Sequence, residues 1–146
     1  MSLLLSTGSL ALIVGGSLSA AAAIAHLACI AIGAPAYRFM GAGERTARAA
    51  QARRLRPTLV TLAIAGLLFV WSAFAWSGAG AIEPLPLTKL ALVAISAVYL
   101  GRAVVFPLLK PRFPGNSNTF WLVSSAICGV IGLVHVYGTV SLWRTL

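Results

Sequence analysis

Three stretches of the chain, 1–37, 57–82 and 113–143, contain no formally charged side chain, and each exceeds the roughly 20 residues a helix needs to cross a bilayer. A fourth apolar stretch is interrupted, because Lys89 and Arg102 leave residues 90–101 uncharged between them, too few for a full crossing. Long basic side chains lie along apolar surface and lift their charge to an interface. A span over 85–105, with Lys89 reaching one surface and Arg102 the other, therefore meets the length requirement. The pattern predicts an all-α, polytopic membrane protein with four transmembrane helices near 8–32, 57–77, 85–105 and 119–143, folded as one up-down bundle without a second domain.

Breakers and helix formers place the connections. Gly33, Ala34 and Pro35 end the first helix, since proline cannot continue the hydrogen-bond ladder. Residues 44–56 (ERTARAAQARRLR) are strong helix formers, so the second helix is expected to begin in the aqueous phase and enter the membrane through a kink at Pro57, with Glu44 and Arg48 spaced to pair. Gly78, Gly80, Pro84 and Pro86 make a short turn before the third helix, and the Pro/Gly/Asn-rich segment 110–118 separates the third from the fourth.

Composition agrees with the spans. Of 146 residues, 60% are hydrophobic and 9% charged, with a mean hydropathy of +0.95. The formal charge of +9 would point to nucleic acid in a soluble domain; here the cations flank spans, so a nucleic-acid partner is not expected. Arg38, Arg45, Arg48, Arg53, Arg54 and Arg56 lie between spans one and two, and Arg102, Lys110 and Arg112 lie at and after the end of span three. Lys89 and Arg144 face the other way. The positive-inside rule then places the basic loops in the cytoplasm and both termini outside, in a cell's inner membrane. Residues 17–25 offer small side chains to a signal peptidase, but 1–37 contains no basic residue and its apolar run is too long for a cleaved leader, so it reads as a span.

The polar residues within the spans are the candidate chemistry. His26 and His135 each lie about 24 Å along their helices, which run in opposite directions, so the imidazoles are about 18 Å apart in depth and do not share a metal ion. Cys29 and Cys128 read as small buried side chains, and no metal site is expected. Ala22, His26, Cys29 and Gly33 share a helical face, making His26 with Glu44 a possible polar site in the inner leaflet. Ser96, Tyr99 and Arg102 share a face of the third helix, directing a permanent cation and a phenol toward the bundle near its cytoplasmic end. Glu44 is the one acid on that side, so an anionic group is expected to meet Arg45, Arg48, Tyr99 and Arg102, supplied by lipid phosphate or by a soluble anion. Trp71, Trp76, Glu83, Lys89, His135, Tyr137 and Trp143 read as an outer interfacial belt with a Glu83–Lys89 ion pair. The spans hold no central carboxylate, so the usual acidic carrier of a proton-coupled transporter is missing.

The segment ERxxRA at 44–49, followed by Pro57, resembles the second-helix signature of the MAPEG family of small glutathione-using membrane enzymes and their relatives, and VYLGRA, containing Tyr99 and Arg102, is similar to the family's third-helix segment. The resemblance implies four helices, a trimer, and a cytoplasm-facing glutathione site with Arg48, Tyr99 and Arg102 near the cofactor. It covers about a fifth of the chain. The family's glutathione-binding asparagine and glutamate are replaced here by a run reading Gln51, Ala52, Arg53, Arg54, Leu55.

Three functions follow as expectations. The leading one is a non-catalytic accessory or binding subunit of the membrane, its basic inner face meeting anionic lipid, a ligand or the acidic surface of a membrane-protein partner, or assembling as a homo-oligomer. The second is glutathione-dependent membrane chemistry of the MAPEG kind, and the third a small oligomeric anion channel or transporter lined by Arg102.

Overall fold

The computed structural model describes residues 6–146, with Phe106 described by its backbone alone. Four helices are long and apolar enough to cross a membrane: α1 (Thr7–Ile32), α4 (Leu55–Gly78), α5 (Thr88–Val105) and α6 (Asn118–Ser141). Two short helices, α2 (Ala34–Phe39) and α3 (Glu44–Gln51), connect α1 to α4, and a 3-10 segment, Phe106–Arg112, follows α5. The chain folds as an all-helical, four-span bundle, a small multi-pass membrane protein. Around the bundle, α1 packs on α4 and α6, while α5 packs on α6 and α4.

Local chemistry sets the helix ends. Ser6 accepts a hydrogen bond from Ser9 N at 3.1 Å and Ser117 accepts one from Phe120 N at 3.1 Å, capping α1 and α6. Gly33 stops α1 with φ 84, a conformation that favours glycine, and Pro35 then sits in the first turn of α2, where its missing N–H costs nothing.

The boundary expected at Pro57 moves. No continuous helix runs through 44–57: α3 closes with Arg53 N on Ala50 O and Arg54 N on Ala49 O, Arg53 adopts φ 53, and α4 begins at Leu55 with Pro57 in its first turn. Packing outweighs propensity here. The break lets α3 lie back so that Ala47, fully buried, packs with Cys29, Ala34 and Tyr37. Helix α5 also starts later than expected. Residues 85–87 are held outside it, with Ser77 Oγ accepting from Leu85 N at 2.8 Å and donating to Glu83 O at 3.1 Å. The 18 residues of α5 extend about 27 Å, close to the roughly 30 Å of a hydrocarbon core.

Polar side chains are buried beside an apolar core, and large apolar side chains also cover the exterior, unlike the surface of a soluble protein. Ser19, Ser72, Ser96, His135 and Thr139 are buried, whereas Ile24, Leu59, Leu90, Leu122 and Val130 are exposed on the outside of the bundle. Hydrocarbon outside the helices removes the usual drive to bury leucine, and close contact plus interhelical hydrogen bonding holds the bundle instead. Tyr99 and Ser19 hydroxyls meet at 2.8 Å, Trp71 packs edge-on against Tyr99 at 5.3 Å between centroids, and His135 stacks on Tyr99 at 5.6 Å. His135 Nδ1–H donates to Ile131 O at 2.8 Å, and Gly15 of α1 lies so close that a Cβ there would stand 2.7 Å from the imidazole Cε1.

This seam corrects the interfacial belt. His135 and Trp71 belong to the bundle interior, because position along a helix gives depth but not which side faces a neighbour. Lys89 also departs from its expected partner: its ammonium lies 4.6 Å over the Trp143 ring, and among the described residues the ion pairs are those of Glu44 with Arg38 and Arg48. Gly129 of α6 faces Ala103 of α5, where a Cβ on Gly129 would stand 3.7 Å from the Ala103 Cβ.

Candidate functional site

The segments joining α1 to α4 and α5 to α6 come together at one end of the bundle. Gly41 and Gly43 bend the chain between α2 and α3 with φ 72 and 86. The Phe120 ring covers Gly41 so closely that a Cβ there would lie 2.0 Å from its Cζ. Asn116 Nδ2–H donates to Gly41 O at 3.2 Å, and the Lys110 ammonium donates to Asn118 Oδ1. Arg38, Arg45, Arg48, Arg53, Arg54 and Arg56 therefore share an end with Lys110 and Arg112.

Charge is unevenly balanced there. Glu44 accepts a two-pronged hydrogen bond from Arg38, Nε to Oε2 at 2.9 Å and Nη2 to Oε1 at 3.0 Å, and a third from Arg48 Nε at 3.1 Å. These contacts, Arg38 first and Arg48 second, lower the Glu44 pKa to about 2; the same hydrogen bond to Glu44 raises that of Arg38. Glu44 is thus committed. Among the described residues no carboxylate lies within ion-pair distance of Arg45, Arg53, Arg54 or Arg56, and all four side chains are exposed.

A cleft of about 230 Å³ opens where α1 ends and α4 begins. Gly33, Tyr37, Ala50, Arg53, Arg54 and Thr58 line it. Its wall is fixed: Thr61 Oγ1–H donates to Pro57 O at 2.7 Å, so Tyr37 O–H donates to Thr61 Oγ1 at 3.1 Å, tying α2 to α4. Its floor is open at Gly33, where a Cβ would meet no atom within 4 Å.

The residues singled out in the sequence divide into two groups. Arg45 and Arg48 lie on α3, which packs on α2 and α4, with Arg48 on Glu44 as its spacing predicts. Tyr99 is 5% exposed and bonded to Ser19 in the core, while Arg102, at the exposed edge of α5, donates to Ser124 Oγ at 3.4 Å and lies 2.7 Å from Cys128 Sγ of α6. His26 donates from Nδ1 to Ala22 O at 2.7 Å within its own helix. It lies about three turns along α1 from Gly15, which faces His135, so the imidazoles are separated by roughly 16 Å. Among the described residues no three His, Cys, Asp or Glu side chains gather as metal ligands.

Arg38, Arg53 and Arg54 were not among the residues the sequence pointed to as a site. Gly41 and Gly43 carry the missed signal for Arg38, since a chain that turns back between two helices pairs residues on either side of the turn. Nothing comparable marks Arg53 in the sequence. No family model, curated protein or solved structure matches the chain.

Proposed function

We propose that this chain is a non-catalytic accessory or binding subunit of the cytoplasmic membrane, with its arginine-rich end in the cytoplasm and its termini outside, and that this end docks on anionic headgroups and on the acidic surface of a membrane-protein partner. One observation carries the reading: Glu44 is saturated by Arg38 and Arg48, and four further arginines at the same end have no carboxylate within ion-pair distance among the described residues. A fixed excess of guanidinium at the level where spans begin and end attracts anionic lipid at about 1 kcal/mol per cation near the surface. Arginine also matches phosphate and carboxylate with two parallel donors.

Two measurements test it. Thermal unfolding in nanodiscs is expected to show a higher midpoint with phosphatidylglycerol than with phosphatidylcholine alone, and the difference should shrink as salt is raised; equal midpoints in both lipids would overturn the docking role. Purification from native membranes in polymer discs is expected to recover an acidic-faced membrane protein in fixed ratio, and recovery of this chain with lipid alone would overturn the accessory role.

A further inference from the structure

Resting on that reading, we infer that the cleft between the end of α1 and the start of α4 is a specific seat for one lipid phosphodiester, held by Arg53 and Arg54 with the acyl chains lying outside on the bundle. Four observations converge on it. The cleft holds about 230 Å³, below the roughly 300 Å³ at which pockets for drug-sized ligands begin, so it admits a headgroup fragment and not a nucleotide. Its two charged lining residues are both arginines, neither with a carboxylate among the described residues, so an occupant with one negative charge and several acceptor oxygens meets donors only.

Its position matches the ligand's two halves. The cleft lies at the junction of two spans, where a bilayer has its phosphates, and Ile32, Leu55 and Leu59 beside it are 63%, 74% and 61% exposed, an apolar wall for the tails. Arg53 is also held in an unusual place. Its φ of 53 is a conformation in which glycine is the ordinary choice, yet an arginine occupies the turn that forms the cleft rim. Thr58 places a hydroxyl on the same lining, while the Tyr37 hydroxyl is used to fix the wall.

Native mass spectrometry of the full chain released from phosphatidylcholine nanodiscs doped with phosphatidylglycerol tests the seat. The unmodified protein is expected to retain one phosphatidylglycerol, with about tenfold lower occupancy in R53Q/R54Q. The charge-matched control R45Q/R56Q, which alters cations outside the cleft lining, should retain it. Ala50→Leu keeps every cation and narrows the cleft, so it should lose the lipid as R53Q/R54Q does. Retention by either R53Q/R54Q or Ala50→Leu would overturn the inference. Equal loss in the two double variants would overturn the cleft while leaving the basic-end reading standing; no preference for phosphatidylglycerol in the unmodified protein would remove both. Inorganic phosphate titrated calorimetrically into protein in phosphatidylcholine discs should show no saturable binding. Saturation dependent on Arg53 and Arg54 would assign the cleft to a soluble anion and overturn the lipid.

Discussion

The interior of the bundle and its arginine-rich end are built on different principles. Inside the spans, helices meet through small residues and a buried polar-aromatic seam, with Gly15 against His135 and the Tyr99 ring in contact with Trp71 and His135. At the arginine-rich end, two short helices and two loops are tied by exposed hydrogen bonds and ion pairs, and a cleft remains open between them. The first region directs most of its hydrogen bonds inward and holds the fold, with His135 Nε2 buried without a hydrogen-bond partner among the described residues. The second leaves charge over, and on the proposed function that charge meets a group outside the chain.

The contrast is broken most sharply at Gly15. Valine there must displace a fully buried imidazole, so G15V is expected to cost about 3 kcal/mol, read by unfolding in detergent micelles. Gly41 is the matching position at the arginine-rich end. Alanine there meets the far edge of one phenylalanine ring, which can turn aside, and carries the penalty of a positive φ, so G41A is expected to cost about 1 kcal/mol. Equal losses would mean that the arginine-rich end is as tightly packed as the seam. A smaller effect follows at the seam's hydrogen bond, where Y99F should cost about 0.6 kcal/mol, the mean for interhelical bonds in a bilayer. A loss within error would show that stacking alone places the Tyr99 ring.

These positions also show what the sequence made legible. Three of the four spans follow from uncharged length and the third span along the chain from snorkelling at Lys89 and Arg102, and ends fall near Ser6, Gly33 and Ser117, where capping or φ > 0 marks them. The turn at Arg53 does not, because arginine is a good helix former and the burial of Ala47 that favours the break depends on a neighbour fixed only after folding. The seam is hidden for a related reason. His135 has a computable depth from the sequence, but the side it presents to α1 depends on how the bundle closes. At the arginine-rich end the Glu44–Arg48 spacing reads directly as a pair, whereas Arg38 reaches Glu44 across a glycine turn and the cleft at Arg53 and Arg54 exists only through that fold.

Glu44 offers a pH test confined to the arginine-rich end. Its pKa is depressed in the fold to about 2, so the stabilisation it supplies is complete above the ordinary carboxylate pKa and is lost as pH falls toward 2. Because all three side chains are solvated, the effect is local and screened by salt. Backbone amide resonances of α3 should shift with a midpoint near 2 at low ionic strength, E44Q should abolish that shift, and seam resonances should stay fixed. A midpoint near 4.5 would show that Arg38 and Arg48 do not hold Glu44 in solution.

The smallest expected effect is the response to glutathione, and it decides whether the arginine-rich end is a docking face or a site for thiol chemistry. The groups that the MAPEG resemblance would bring to the tripeptide have partners in three places: Arg48 on Glu44, Tyr99 on Ser19, and Arg102 on Ser124 and Cys128. Collecting them around one ligand would require breaking a buried hydrogen bond and moving α3 relative to α5. The melting temperature in phosphatidylcholine discs is therefore expected to stay unchanged up to millimolar glutathione. A saturable rise abolished by Arg102→Ala would mean that the seam and the arginine-rich end cooperate in one site, and would replace the proposed docking by catalysis.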